Sequence, residues 1–333
     1  MLRATQRLLG LEDRNILRAA TGLGGGIGHE GDTCGALTGG ILSLGLYNRD
    51  YDFNRLCRDC IEYYQGFGRR FGSSKCRDII GVRFKEGHDI RRFFLKGTRC
   101  LRAVYASIAS LFDIIENGDG KLPLRHRYQA SPPFGTEEFH CAGMVLSQIE
   151  SHLGPNVGSI LNSTRGFAGG IAFQGDVCGA FMGGVLALGI VYGTEIERTQ
   201  PARLFKAGFV AMKEGSRVFE NEDLHPSFKT SLRVSRLYRE FVSRFGSVDC
   251  ADIIDSAQPE MDFQTVGTDA FHGVDIQRGR HHRSRGLTPR LRKRAISGWK
   301  PAKGGWSNNR VLCTEIARTT AELVLELVDD TVT

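Results

Sequence analysis

The sequence predicts an all-α protein built from two tandem, homologous helical-bundle modules, and three observations carry that reading. Apolar residues recur at i, i+3, i+4 and i+7 along most of the 333-residue chain, the spacing of one helix face, while period-two alternation is almost absent. Residues 31–45, GDTCGALTGGILSLG, return as residues 175–189, GDVCGAFMGGVLALG. Laid over one another without a gap, residues 1–48 and 145–192 agree at 19 of 48 positions, far more than composition alone produces.

The first module spans 1–122. Its Gly26-Ile-Gly28-His-Glu-Gly31 stretch reads as a flexible loop that delivers Asp32, a good N-cap, to a Gly-rich buried helix over Cys34–Tyr47. A strongly periodic helix follows over 53–71. Ser73 or Ser74 then caps a short helix at Cys76, and a helix over 98–116 places Cys100 just after Thr98. A Gly- and Pro-rich linker covers 123–133. The second module, 134–333, repeats the order: a helix over 136–153 with Cys141, Asp176 capping Cys178–Tyr192, a helix over 230–245, Ser247 before Cys250, and a helix over 310–328 with Cys313 after Asn309. An insertion at about 256–308 has no counterpart in the first module.

Composition narrows the class. Nine Cys in this length are too few for a disulfide scaffold, and MLRATQRLLGLEDRN lacks the apolar core of a secretory signal. The expectation is a cytoplasmic protein with reduced thiols and an unknown redox partner. Residues 277–303 hold ten Lys or Arg and no acid, more than the whole net charge of +7. The high pI therefore belongs to one segment, which reads as a solvated, deletable insertion rather than a nucleic-acid site. Val177–Gly193 is an unbroken apolar run of 17 residues. Its counterpart carries Thr38 and Ser43, and homologous helices share one environment, so both read as core rather than membrane span.

The recurring cysteines carry the chemistry. Helix N-termini stabilise a thiolate, so Cys34 and Cys178 should have lowered pKa values, and cysteines at several helix starts can converge. Convergent thiolates serve disulfide exchange or soft-metal binding equally well. The candidate set is Cys141, Cys178, Cys250 and Cys313 in the second module, which are also the candidate metal ligands. Cys34, Cys76 and Cys100 form the corresponding set in the first. Gly35 with Gly39, and Gly179 with Gly183, lie four apart on one helix face and allow a helix or cofactor to approach closely. Cys57-Arg-Asp-Cys60 is a CxxC inside a predicted helix whose second copy lacks both thiols, so it reads as incidental. Gly26–Gly31 spells GxGxxG without a preceding strand, which argues against a dinucleotide site. From a different class, the chain reads as a helical accessory protein with inert buried Cys.

These residues bring a family into view. Cys141, then Cys178-Gly-Ala-Phe-Met-Gly183, then Cys250 and Cys313 resemble the redox-active proteins named for the C-GCAxxG-C-C pattern, as do Cys34-Gly-Ala-Leu-Thr-Gly39, Cys76 and Cys100. The resemblance implies small helical modules whose four cysteines are redox-active. A related domain occurs in split-Soret cytochromes together with an iron–sulfur centre, which makes a cluster, and electron transfer through it, the alternative to dithiol chemistry. The chain departs from the pattern in three ways. The counterpart of Cys141 would fall upstream of Met1, so either the true start lies further upstream or this copy has three cysteines. Cys250 and Cys313 are 63 positions apart, where Cys76 and Cys100 are 24 apart. No CxxCH haem-attachment motif is present.

Overall fold

A computed structural model describes residues 1–48, 53–85, 89–117, 140–153, 157–194, 201–219, 221, 224, 226–257 and 306–329. The linker and the basic segment 277–303 lie outside the described residues. The fold is all-α, with no strand among the described residues and two isolated β-bridges, Thr33–Lys75 and Val177–Asp249.

Element order follows the sequence repeat. The first copy runs α1 (Leu2–Leu8), α2 (Arg14–Ala19), α3 (Gly35–Tyr47), α4 (Phe53–Phe71), α5 (Cys76–Ile80) and α6 (Asp89–Asn117). The second runs α7 (Cys141–Gln148), α8 (Glu150–Leu153), α9 (Gly158–Ser163), α10 (Gly179–Tyr192), α11 (Pro201–Glu214), α12 (Pro226–Phe245), α13 (Cys250–Ala257) and α14 (Trp306–Asp329). Thus α10 corresponds to α3, α12 to α4, α13 to α5 and α14 to α6.

The central helices α3 and α10 are apolar all round and buried along nearly their whole length, as such helices must be in water. No described helix is long and apolar enough to cross a membrane. Amphipathic α4 and α6 cover α3, and α12 and α14 cover α10. α1 adds to the cover of α3 and α7 to that of α10, and a further face of each central helix is covered by the other copy: α2 packs on α10, and α9 packs on α3. Glycine makes this crossing possible. A Cβ at Gly45 would stand 2.1 Å from the Ser163 carbonyl oxygen, and one at Gly189 would stand 2.1 Å from that of Ala19. The two copies therefore interlock around one continuous apolar core.

Candidate thiol centres and the ionic joint between them

The Gly24–Gly31 stretch is not a flexible loop. Gly25, Gly26, Ile27, Gly28 and His29 all have left-handed φ between 60° and 75°, and Gly169 to Phe173 repeat this with φ between 51° and 75°. Each forms a buried left-handed turn closed by backbone bonds such as Asp32 N–H to Gly26 O and Asp176 N–H to Gly170 O, both 2.9 Å. Left-handed backbone costs about 1–2 kcal/mol for each L-residue, so the fold holds Ile27 and Ile171 there against their preference. The turn then meets the short helix of its own copy: Cys76 N–H donates to Asp32 O (2.7 Å) and Cys34 N–H to Ser74 O (2.8 Å). Cys250 and Cys178 repeat both bonds with Asp176 and Val248. Ser73 and Ser247 accept from Lys75 and Asp249 N–H just ahead of α5 and α13; the expected serine cap of α5 does not form, because Lys75 holds its N-cap position without a side-chain cap.

Two expectations about the cysteine-bearing helix starts need correction. Asp32 and Asp176 do not cap α3 and α10; Cys34 and Cys178 occupy the N-cap positions themselves, and the carboxylates turn toward the other copy. Cys100 and Cys313 lie inside the long helices α6 and α14, away from their N-termini, so they gain no thiolate stabilisation from a helix start. Cys141 does open α7, with His140 as N-cap accepting from Gly143 N–H at 3.0 Å. Burial first, then the nearby Arg165, hold His140 near pKa 4.

The sulfurs gather within each copy. In the first, Cys34 and Cys76 lie close enough for each to shift the other's pKa, with Cys100 close enough to feel the charge on Cys34. Cys76 lowers the Cys34 pKa to about 7 against the opposing effect of burial; the Ala36 and Leu37 amides at the helix start lower it further. Cys76, beside Cys34 and buried, is pushed up. In the second copy Cys313 is the sulfur that acts most strongly on Cys141, and Cys178 and Cys250 lie near enough to Cys141 to feel its charge. The expected lowering of Cys178 does not occur: burial, then Cys141, push it up to about 12 despite the same helix start. Cys34 owes its low value chiefly to Cys76. Burial first, together with the neighbouring sulfurs, also raises Cys250 well above the ordinary thiol range.

The glycines serve helix contact. A Cβ at Gly35 would meet the Leu23 carbonyl oxygen at 2.7 Å, one at Gly179 that of Phe167 at 2.8 Å, and one at Gly183 that of Ala142 at 2.6 Å. Gly39 is looser, with only Met1 at 3.5 Å. Cys57 and Cys60 lie in mid-α4, where Cys60 is fully buried and raised by that burial.

Between the two thiol centres lies a feature the sequence reading missed. Lys75 Nζ contacts Asp32 at 2.6 Å, Asp176 at 2.6 Å and Asp249 at 2.8 Å. Each of these four residues precedes a recurring cysteine by one or two positions. The three carboxylates form the only group of candidate cation ligands within 4.8 Å of one another among the described residues, and Lys75 stands among them. Tyr64 donates to Asp176 at 2.6 Å, and its counterpart Tyr238 donates to Asp32 at 3.2 Å, each reaching across to the other copy. Burial opposes the charge on Asp176, but Lys75 and the hydroxyl donors hold its pKa below the usual carboxylate range. Asp249 is raised, first by burial. The available signal was a charge reversal at equivalent positions, RFGSSKC against RFGSVDC, with Lys75 facing Asp249.

A family model described as "Putative redox-active protein (C_GCAxxG_C_C)" matches residues 1–114 and 139–327. No curated protein and no solved structure matches the chain.

Proposed function

Because the chain belongs to the C_GCAxxG_C_C redox-active family, we propose that Cys34 and Cys76 form a dithiol centre that exchanges with disulfides. The observation that carries this reading is geometric: the bonds Cys76 N–H to Asp32 O (2.7 Å) and Cys34 N–H to Ser74 O (2.8 Å) seat the two thiols at one junction, where Cys76 lowers the Cys34 pKa to about 7. The Cys34 thiolate attacks one sulfur of a small external disulfide. That S–S bond breaks and one substrate sulfur leaves as thiolate, taking up a proton. Cys76 then loses its proton and attacks Cys34 Sγ, expelling the second substrate thiolate. Two electrons pass to the substrate, Cys76 gives up one proton and solvent supplies the other, and the protein retains a Cys34–Cys76 disulfide. Cys34 and Cys76 are each 5% exposed, which favours small disulfides over protein ones.

Alkylation rate against pH, followed residue by residue, tests this. Cys34 should react in the native state with a midpoint near 7. Cys76→Ser, which removes the neighbouring thiol, should move that midpoint toward the ordinary thiol value of about 8.5. A native midpoint for Cys34 near 8.5, unchanged in the Cys76 variant, would overturn the dithiol reading.

The second copy supports a second reading, a resident iron–sulfur cluster. Four thiols converge there, and deprotonating them together in a buried place requires compensating positive charge. A single tetrahedral ion needs sulfurs about 3.8 Å apart, and no three cysteine sulfurs of the described residues fall within 4.8 Å of one another. The wider spacing would suit a [4Fe–4S] cluster held by four Cys thiolates. Cys141, Cys178, Cys250 and Cys313 would hold it, and it would supply one-electron chemistry. Anaerobically purified protein should contain iron and acid-labile sulfide in equal amounts, both lost in Cys178→Ser. Iron-free protein from anaerobic, iron-supplied cells would refute the cluster.

A further inference from the structure

The left-handed turn of the first copy borders an open cleft of about 360 Å³, lined by His29, Glu30, Arg77, Arg83, Phe84 and Lys85. This size suits a small metabolite. The second copy builds the same turn with the same backbone bonds but places Phe173, Gln174 and Ala251 where the first has His29, Glu30 and Arg77. Ionic side chains are therefore not what the turn needs in order to fold.

The lining is both cationic and aromatic. Of the six residues, Arg77, Arg83 and Lys85 are basic and Glu30 alone is acidic. Lys85 bonds Glu30 and Ser235, and Arg239 lies close enough to oppose its charge. His29 packs against Phe84 at 5.1 Å and Phe219 at 4.7 Å, and its Nδ1 is 2.9 Å from the Ser231 hydroxyl. Burial first, then Lys85, keep its ring neutral, with a pKa near 4, so His29 adds surface rather than charge. Basic groups gathered at a partly enclosed aromatic surface are stabilised by an arriving oxyanion.

We propose that this cleft binds a small organic anion, a carboxylate or phosphate on a short apolar body. Arg77 and Lys85 meet the oxyanion, and Phe84 and His29 contact the body. Arg77 directly follows Cys76, and Gly26 of the same turn lies against Cys76 Cβ, so an occupant sits one residue from the dithiol. The site stands on its own residues and does not depend on the dithiol reading.

Calorimetry on the reduced full-length protein tests it, with phenyl phosphate, inorganic phosphate and phenylacetate as probes. Saturable binding of phenyl phosphate or phenylacetate, tighter than that of inorganic phosphate, is expected, and which of the two wins identifies the oxyanion. Arg77→Ala should weaken it about 10- to 100-fold, the loss of one charge-assisted contact. That variant should fold, since Ala251 occupies the equivalent position. Glu30→Gln should strengthen binding by freeing Lys85. No saturable heat up to about 10 mM probe, weaker than metabolite-range affinity, or an unchanged Arg77→Ala, would overturn the site. Because heat is read with the thiols reduced and idle, failure here leaves the exchange reaction untouched.

Discussion

Lys75→Met should be among the most destabilising single substitutions in this protein, costing about 3–5 kcal/mol near pH 7. The methionine fills the space of the lysine stem but leaves Asp32, Asp176 and Asp249 facing one another without a cation. The pH dependence identifies the cause. In the parent protein the folded-state pKa of Asp176 is depressed, so its contribution is present above the unfolded carboxylate pKa and is lost as pH falls. Without Lys75 the carboxylates share a buried place, their folded pKa values rise, and the penalty applies above the unfolded pKa and fades as pH falls through it. The gap between parent and variant in denaturant melts should therefore shrink from pH 7 to pH 4. Lys75→Met/Asp249→Asn should recover part of the loss by removing one carboxylate. A deficit equal at both pH values would show that lost packing, not charge, sets the cost.

Gly26→Ala and Gly170→Ala should each cost about 3 kcal/mol or more, through backbone strain and a collision acting together. Both glycines have φ of +75°. A Cβ at Gly26 would stand 2.5 Å from Asp32 O and 2.6 Å from Cys76 Cβ; one at Gly170 would stand 2.5 Å from Asp176 O and 2.6 Å from Cys250 Cβ. The obstacles are backbone and Cβ atoms, which cannot rotate away. Gly246→Ala is the control, with φ of +77° and nothing within 4 Å, and strain alone there should cost about 1 kcal/mol. Chemistry should separate the two variants. Gly26→Ala displaces Cys76 and should raise the Cys34 alkylation midpoint, whereas Gly170→Ala should leave it in place. Equal costs for all three substitutions would mean that the close approach to the cysteines has no energetic weight.

Much of this was written in the linear order of residues. Helices over 53–71, 230–245 and 310–328 are legible because one apolar stripe repeats at helical spacing, and the structure places Phe53–Phe71, Pro226–Phe245 and Trp306–Asp329 there. The burial of α3 and α10 follows from their having no polar face. The left-handed turns were mistaken for flexible loops because a Gly-rich string marks conformational freedom without saying which conformation is used. Ile27 and Ile171 argue against a left-handed backbone by their own preference, and only the surrounding packing overrides it.

The sequence by itself determined the helical class, the duplication, the family and the cysteines that recur, because periodicity and repetition are properties of order along a chain. Only the tertiary structure decided that α2 and α9 cross to the other copy, that Lys75 sits among three aspartates, and which sulfurs surround Cys34 and Cys178. The physical reason is common to all three. Helix spacing says which face is apolar but not which copy will cover it, and a thiol's pKa depends on its neighbours in space. Cys34 and Cys178 share the flanking residues Gly-Asp-x-Cys-Gly-Ala and the same place at a helix start. Each has the equivalent thiol of its own short helix nearby, Cys76 or Cys250; what separates them is fuller burial and the extra sulfur of Cys141 beside Cys178.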